Sequence, residues 1–512
     1  MTPRPYSSAR IRSSLIAFAI GKGISAPLSF VLILVLASAM SRGEYANYVA
    51  AIALLEIGIV LGTLGVEWVI QTVVAAVLVR GNAAQLRRAV LTLGALPFVP
   101  YTLLAAALWR FAPEVSTALG GVATLEVIRL YALLLALEGP TRILRDALMA
   151  TMLLQRTAQV STVLRVGVTF GLAAVPALLG RPVAAADVAR AEIAAACVAL
   201  GAVLVSLAVH LVRQRPRDAM DASIGRWLGW RTLRFAGHAY GSLLMMFLLG
   251  TDLMTALVAR YMGVDATAAF GFVVRLMETA RRHLPMDLFW GVLRPAAIGR
   301  YEGNGRDVGL LMRDCHRMVD ANLLVVAAGL AVAIAAGDGL VGLLSKGNVH
   351  SPALLLALTL PLLASHTVRR TVELVAYARN RSGVFARAAL ASLAAPPLTA
   401  LLLARTGTVQ AAPLAVLVVD LLFVSLALAG LRAAGEPIRF APRRWARLAA
   451  AVAAGGVAGA LVARGVPAGT HGVVAAAAAA LAAFGLAVAA LGVIGADDRS
   501  WLVSLVRTRA DA

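Results

Sequence analysis

Residues 41–55 read Ser-Arg-Gly-Glu-Tyr-Ala-Asn-Tyr-Val-Ala-Ala-Ile-Ala-Leu-Leu, and residues 262–276 read Met-Gly-Val-Asp-Ala-Thr-Ala-Ala-Phe-Gly-Phe-Val-Val-Arg-Leu. Each is a short polar turn that opens into an apolar run, and a shift of 221 positions lays Glu44 on Asp265 and Leu55 on Leu276. A second pair of junctions, Gln155-Arg156-Thr157 and Asn380-Arg381-Ser382, lies at a shift of 225, with Arg145 over Arg370. Apolar segments resemble one another cheaply, so the weight lies in two separate junctions agreeing on nearly one shift. The pattern predicts an internal duplication.

What is duplicated follows from composition. The chain has 512 residues, 60% hydrophobic and 14% charged, with a mean hydropathy of +0.84. Soluble domains are about 45–50% apolar and about 25% charged, so a water-soluble protein is excluded. Ile24 to Met40, Ala321 to Gly337 and Val473 to Ile494 carry no charge at all, and such runs approach or exceed the span of a bilayer helix. Cutting at polar and Gly/Pro punctuation gives fourteen apolar spans: 14–40, 48–79, 89–110, 124–150, 157–180, 188–212, 235–261, 267–293, 319–345, 352–378, 383–404, 408–431, 446–463 and 472–494. The connectors are short, and no soluble domain is expected. The fold class is therefore all-α, a polytopic membrane protein of about fourteen helices.

Charge placement tests that count independently. The net charge of +21 comes almost wholly from arginine, with Lys22 and Lys346 the only lysines. On a soluble chain such an excess would suggest nucleic acid; between hydrophobic runs it reads as topology. With both termini cytoplasmic, 33 basic residues fall on the inner side. Eight fall outside, namely Arg42, Arg110, Arg181, Arg190, Arg260, Lys346, Arg405 and Arg464, and six lie within spans. A missed span would reverse the alternation downstream, and it does not reverse. Cys197 and Cys315 have neither disulfide nor metal spacing, and no cofactor motif or nucleic-acid partner is expected.

The duplication and the span count together predict two six-helix lobes, 1–213 and 234–432. A basic cytoplasmic linker, 214–233, joins them, and a C-terminal helix pair with its tail occupies 433–512. Six is even, so the repeats run in one direction about an axis along the membrane normal. Transporters built this way bind substrate between the lobes and rock one against the other.

Gly21-Lys22-Gly23, followed by Ser41-Arg42-Gly43-Glu44-Tyr45-Ala46-Asn47-Tyr48, resembles the opening of the Wzx-type O-antigen flippases. These form the polysaccharide branch of the multidrug/oligosaccharidyl-lipid/polysaccharide (MOP) exporter superfamily. Asp252, the Tyr261-Met262-Gly263-Val264-Asp265 turn, and Arg275-Leu276 leading to Arg294-Pro295 are similar to the start of that family's second lobe. The resemblance spans roughly residues 12–432. It implies a V-shaped two-lobe bundle with a central cavity, moving a polyprenyl-pyrophosphate-linked oligosaccharide across the bacterial inner membrane for lipopolysaccharide or exopolysaccharide synthesis. Implied partners are that lipid-linked substrate, membrane lipids and other polysaccharide assembly proteins. Basic residues of spans one, two and eight line the cavity of the related lipid II flippases. Lys22 and Arg275 fit two of those places, while span two offers Glu56 and Glu67.

The residues themselves carry a reading of their own. A charge at mid-membrane costs at least about 2.5–3.5 kcal/mol on insertion scales and so faces a partner or a wet cavity. Span eight holds Arg275, Glu278, Arg281, Arg282, His283 and Asp287, with 275, 278 and 282 on one helical stripe. Such a stripe either forms a cationic wall for a pyrophosphate or acidic sugar, which arginine's forked donors suit, or neutralises itself through Arg275–Glu278 and Arg282–Glu278 pairs. Lys22 has no acid within a turn on its own helix, so its partner comes from another helix or the ligand. Arg142, Arg145, Arg369 and Arg370 either line the same cavity or snorkel to cytoplasmic headgroups. Asp252, at the middle of span seven, is by resemblance a candidate for ion coupling, with Asp420 in span twelve as a possible substitute for acids absent from span eleven. Gly58 and Gly62 form a small-residue face expected to pack helices.

Three functions follow in order. The first is a lipid-linked oligosaccharide flippase with no covalent chemistry. The second is a cation-coupled drug or metabolite antiporter, which predicts a predominantly acidic cavity. The third, a membrane glycosyltransferase or polymerase, would need an extramembrane catalytic segment that these short connectors lack.

Overall fold

The computed structural model describes residues 8–213, 229–284, 286–287, 308–347, 349, 353–379, 381–435, 438, 440, 442–466 and 469–493. Most of the expected linker (214–228), the inner loop 288–307 and the tail past Val493 lie outside the described residues. Among those described, every regular element is a helix and none is a strand. Contacts divide the chain into two units, Met1–Gly271 and Phe272–Ala512.

The first unit contains α1 (Ser8–Ala39), α2 (Arg42–Gly62), α3 (Val66–Arg80), α4 (Ala83–Ala95), α5 (Phe98–Arg110), α6 (Ala112–Ala118), α7 (Leu125–Arg142), α8 (Gln155–Thr169), α9 (Val175–Leu178), α10 (Ala185–Val212), α11 (Trp230–Phe247) and the beginning of α12 (Thr251–His283). The α7 helix continues into a π-helical stretch, Ile143–Met149. The second unit contains the remainder of α12, then α13 (Val308–Leu344), α14 (Ala353–Ala378), α15 (Ser382–Ala389), α16 (Ala395–Thr406), α17 (Ala411–Ala433), α18 (Pro442–Gly465) and α19 (Thr470–Ala490). Eleven helical stretches among the described residues are long and apolar enough to cross a membrane. Two helices outside that set carry several charges: α7 holds Glu126, Arg129, Glu138 and Arg142, and α14 holds Arg369, Arg370 and Glu373.

Local chemistry sets the helix starts. Ser41 accepts from the Glu44 amide at 3.3 Å to cap α2, and Asn82 and Gln85 form a reciprocal box ahead of α4 at 2.8 and 3.0 Å. The second expected span, 48–79, is not continuous. It breaks between α2 and α3, where Leu64 has φ 42° and Gly65 φ 75°. Two carbonyls near this break are satisfied by tyrosines. The Tyr101 hydroxyl donates to Ile59 O and the Tyr240 hydroxyl to Leu61 O, each at 2.8 Å. In lipid such groups need an internal partner.

The seventh expected span, 235–261, also breaks, at the turn Leu248–Gly250 between α11 and α12. Gly263, at φ 77°, kinks α12. At the shift of 221 this kink falls on Arg42, the first residue of α2.

Small residues admit close packing in both units. Gly58 seats Leu135, and Gly62 and Gly139 both lie against the Tyr101 ring with no room for a Cβ. Gly271 likewise lies against Val49. In the second unit α18 and α19 form a hairpin packed on α13. There Gly455 meets Ala331, and Gly459 meets Ala335 and Ala476. Arg444 joins Asp320 of α13 at 2.6 Å.

Candidate functional site

The charges inside apolar helices gather into separate clusters, one set in each unit. In the first, Arg142 at the end of α7 is held by two carboxylates. Its terminal nitrogens fork onto both oxygens of Glu56 in α2 at 2.8 Å, and its Nε donates to Glu138 at 2.8 Å. Glu138 is fully buried and its other oxygen meets Arg165 of α8 at 2.9 Å. This spends all three donor-bearing nitrogens of Arg142 on carboxylates, the bidentate geometry that arginine favours.

Arg142, for which the sequence left a cavity wall and a headgroup contact open, is thus engaged by two carboxylates of the bundle. The pair Glu138–Arg142 was readable as an i,i+4 spacing. Glu56, 86 residues away, carried no such signal.

Arg145, on the π-helical stretch, donates twice to its neighbour Asp146, both at 2.8 Å. π-Helical turns widen the helix and re-aim side chains, and they recur at functional sites. Lys22 of α1 is half-buried, with its ammonium 5.7 Å from the centre of the Phe18 ring. It stands within electrostatic reach of Asp146 on the π-helical stretch.

In the second unit α12 presents Arg275, Glu278, Arg281 and Arg282. Arg275 is half-buried between buried Val274 and Leu276, while Arg282 is exposed. Glu278 pairs with Arg281 at 2.7 Å. The expected Arg275–Glu278–Arg282 stripe thus shares its one acid with a residue just off it, since Arg281 lies an i,i+3 step away. Along its own sequence this stretch of α12 thus carries three guanidinium groups and one carboxylate.

Near it runs a chain of four side chains, two of them buried. Arg369 of α14 pairs with Asp420 of α17, which is 2% exposed. The same guanidinium donates to His366 Nδ1 at 2.8 Å. His366 Nε2 lies 3.4 Å from Asp287 Oδ1. Arg370 turns instead to Glu373 at 2.9 Å. Asn322 of α13 joins the surroundings, accepting from the Met286 amide at 3.0 Å and donating to Thr367 at 3.3 Å. His366 escaped sequence reasoning. Its signal was the i,i+3 spacing to Arg369.

Asp252 lies elsewhere. It is half-buried in the first turn of α12, directly after the break at Leu248–Gly250. Its mid-span placement is corrected: the apolar run hid a turn, and a carboxylate in a helix's first turn complements the helix dipole.

No family model matches the sequence, and no curated protein matches it. Solved structures do match. One, described as the lipid II flippase MurJ in an inward closed conformation, has a TM-score of 0.61 at 10% identity over 92% of this chain and 98% of that chain. Another, an inward-facing multidrug resistance MATE transporter of the MOP superfamily, has a TM-score of 0.59 at 13% identity over 82% and 98%. At such identities the likeness is one of fold. The chain has the all-α, multi-pass membrane fold found in those transporters.

Proposed function

We propose that the protein flips a polyprenyl-pyrophosphate-linked oligosaccharide across the bacterial inner membrane by alternating access, without covalent catalysis. In this reading both termini are cytoplasmic, the lobes 1–213 and 234–432 are the moving parts, and 433–512 is an appended hairpin.

The observation that carries the reading is the arginine-rich stretch of α12, where Arg275, Arg281 and Arg282 fall within one short run of the helix and Glu278 is paired with Arg281. A cationic drug would be repelled there. A pyrophosphate offers several oxygens for guanidinium forks, and each charge-assisted contact is roughly twice as strong as a neutral one. The fold shared with a lipid flippase supports an amphipathic, lipid-borne cargo.

The test is complementation of a strain lacking its O-antigen or exopolysaccharide flippase, with glycan export measured for wild type, Arg275→Ala and Arg282→Ala at matched membrane levels. Export should be restored by wild type and fall in both variants. Unchanged export in both would remove the arginine face from the mechanism.

A further inference from the structure

The chain Asp287–His366–Arg369–Asp420 fixes one proton arrangement. A guanidinium has only N–H groups to offer, so His366 Nδ1, at 2.8 Å from Arg369 Nη2, can only be accepting. The ring proton then sits on Nε2, on the side of Asp287 Oδ1. The tautomer follows from the hydrogen-bond network rather than from a visible hydrogen. A second proton has one place to go, the Nδ1 lone pair, and Arg369 occupies it.

We propose that His366 is a proton-binding site, at which a proton and the Arg369 guanidinium compete for one lone pair. The inference rests on the reading of the chain as a transporter and supplies its energy coupling. A proton taken from one aqueous face forms the Nδ1–H bond and breaks the Arg369–His366 hydrogen bond. The imidazolium is then held by Asp287, and Arg369 keeps Asp420. Loss of the proton to the other face restores the first arrangement. In the protonated state the Arg369 nitrogen released from His366 becomes a donor for an anionic headgroup.

The surroundings are suited to such an exchange. On α14 itself, Arg369 and Arg370 act on His366, and Arg370 is tied to Glu373. Arg281 of α12 and Asp287 act from beyond it. From α17 the charged group is Asp420, reached through Arg369. From α13 the near polar group is the neutral Asn322, while Asp320 is engaged by Arg444 of α18. Arg387 of α15 turns to the Gly383 carbonyl. His366 and Asp420 are buried, whereas Asp287 is partly open and gives the proton an entry. A buried imidazole between one carboxylate and one guanidinium has two discrete arrangements, the kind of bistable element that a bound proton can bias.

The experiment uses the full-length protein in lipid nanodiscs with nitrogen-15 histidine and arginine. The His366 signal, among seven histidines, is assigned by its loss in His366→Gln. At neutral pH, Nδ1 should read as unprotonated and Nε2 as protonated. On acidification Nδ1 should gain its proton, with the Arg369 side-chain signal moving in the same transition. Asp287→Asn should shift that transition to lower pH. The proposal is overturned if Nδ1 stays unprotonated down to the pH of unfolding, or gains its proton while the Arg369 signal is unmoved.

In the flippase-deleted strain, export by wild type should respond to external pH, and His366→Gln should lose that response at matched protein level. A fully pH-responsive His366→Gln protein overturns the proposal. If wild type restores no export, the flippase reading falls and the nitrogen titration alone decides the proton site.

Discussion

The clusters in the two units are built from the same residue types and balance differently. In the first, Arg142 and Arg165 meet Glu56 and Glu138, and Arg145 meets Asp146, so each described guanidinium of the cluster has a carboxylate. In the second, the α12 face sets three arginines against Glu278. A buried ion pair that is fully satisfied contributes geometry, fixing three helices in one register. The α12 stretch is richer in arginine than in acid along its own sequence, a composition that suits an anionic ligand. Arginine at bilayer depth is thus no single signal, and what separates scaffold from site is the local count of carboxylates.

The largest effect expected from this contrast is at Glu138. Replacing it, as in Glu138→Leu, leaves Arg165 and one donor of Arg142 facing each other in a dry seam. Removing one partner of a buried pair costs about 3–5 kcal/mol. The purified variant should show a sharply lower thermal midpoint in detergent, or fail to accumulate. A midpoint equal to wild type would mean that water already reaches the cluster.

Next comes a matched pair, Arg142→Gln and Arg281→Gln. The first should lower thermal stability, because Glu56 and Glu138 lose their shared cation. The second should leave the midpoint near wild type, since Arg281 is about one-third exposed and its tie is a single i,i+3 contact. It should instead slow glycan export roughly ten- to a hundredfold, the equivalent of one charge-assisted hydrogen bond worth roughly 1.5–3 kcal/mol. If both variants behave alike in both measurements, the distinction between the two clusters collapses.

This contrast also marks what the sequence could and could not convey. The helical class and the positions of the spans were legible because a run of about twenty apolar residues has few other fates. At the shift of 221, Gly263 interrupts α12 at the position where Arg42 begins α2, so both aligned junctions fall at a break in helix geometry. The breaks at Leu64–Gly65 and Leu248–Gly250 were not legible, since two or three residues of turn within an apolar run barely alter its hydropathy. Which charges pair was legible only along one helix. Glu138 with Arg142 could be read by spacing, but Glu56 with Arg142 and Arg369 with Asp420 join helices far apart in sequence.

A milder test separates the backbone near the broken span from the charges beside it. Tyr101→Phe removes the hydroxyl that satisfies the Ile59 carbonyl and keeps the ring that fills the notch of Gly62 and Gly139. The loss of one buried hydrogen bond should destabilise by about 1–3 kcal/mol, less than Glu138→Leu, with export retained at permissive temperature. A collapse as severe as that of Glu138→Leu would show that the break, rather than the ion cluster, holds the first unit together.

The smallest effect belongs to the outermost arginine cluster of the first unit. Arg190 of α10 contacts Glu126 at 2.6 Å and Asp187 at 3.0 Å, with all three side chains more than half exposed. This trio has the same composition as the Glu56–Arg142–Glu138 cluster, one guanidinium and two carboxylates at short distances, but Arg190 makes one contact to each acid where Arg142 forks onto Glu56. The larger difference is the medium. Solvent and salt screen exposed pairs, which contribute about 0–1 kcal/mol, so Arg190→Ala should move the thermal midpoint by little, and that little should shrink further with added salt. The comparison of Arg190→Ala with Arg142→Gln therefore sets a solvent-screened cluster against a buried, forked one. A large, salt-independent loss at Arg190 would place that end of α10 in a dry environment and displace the outer boundary of the membrane-spanning region.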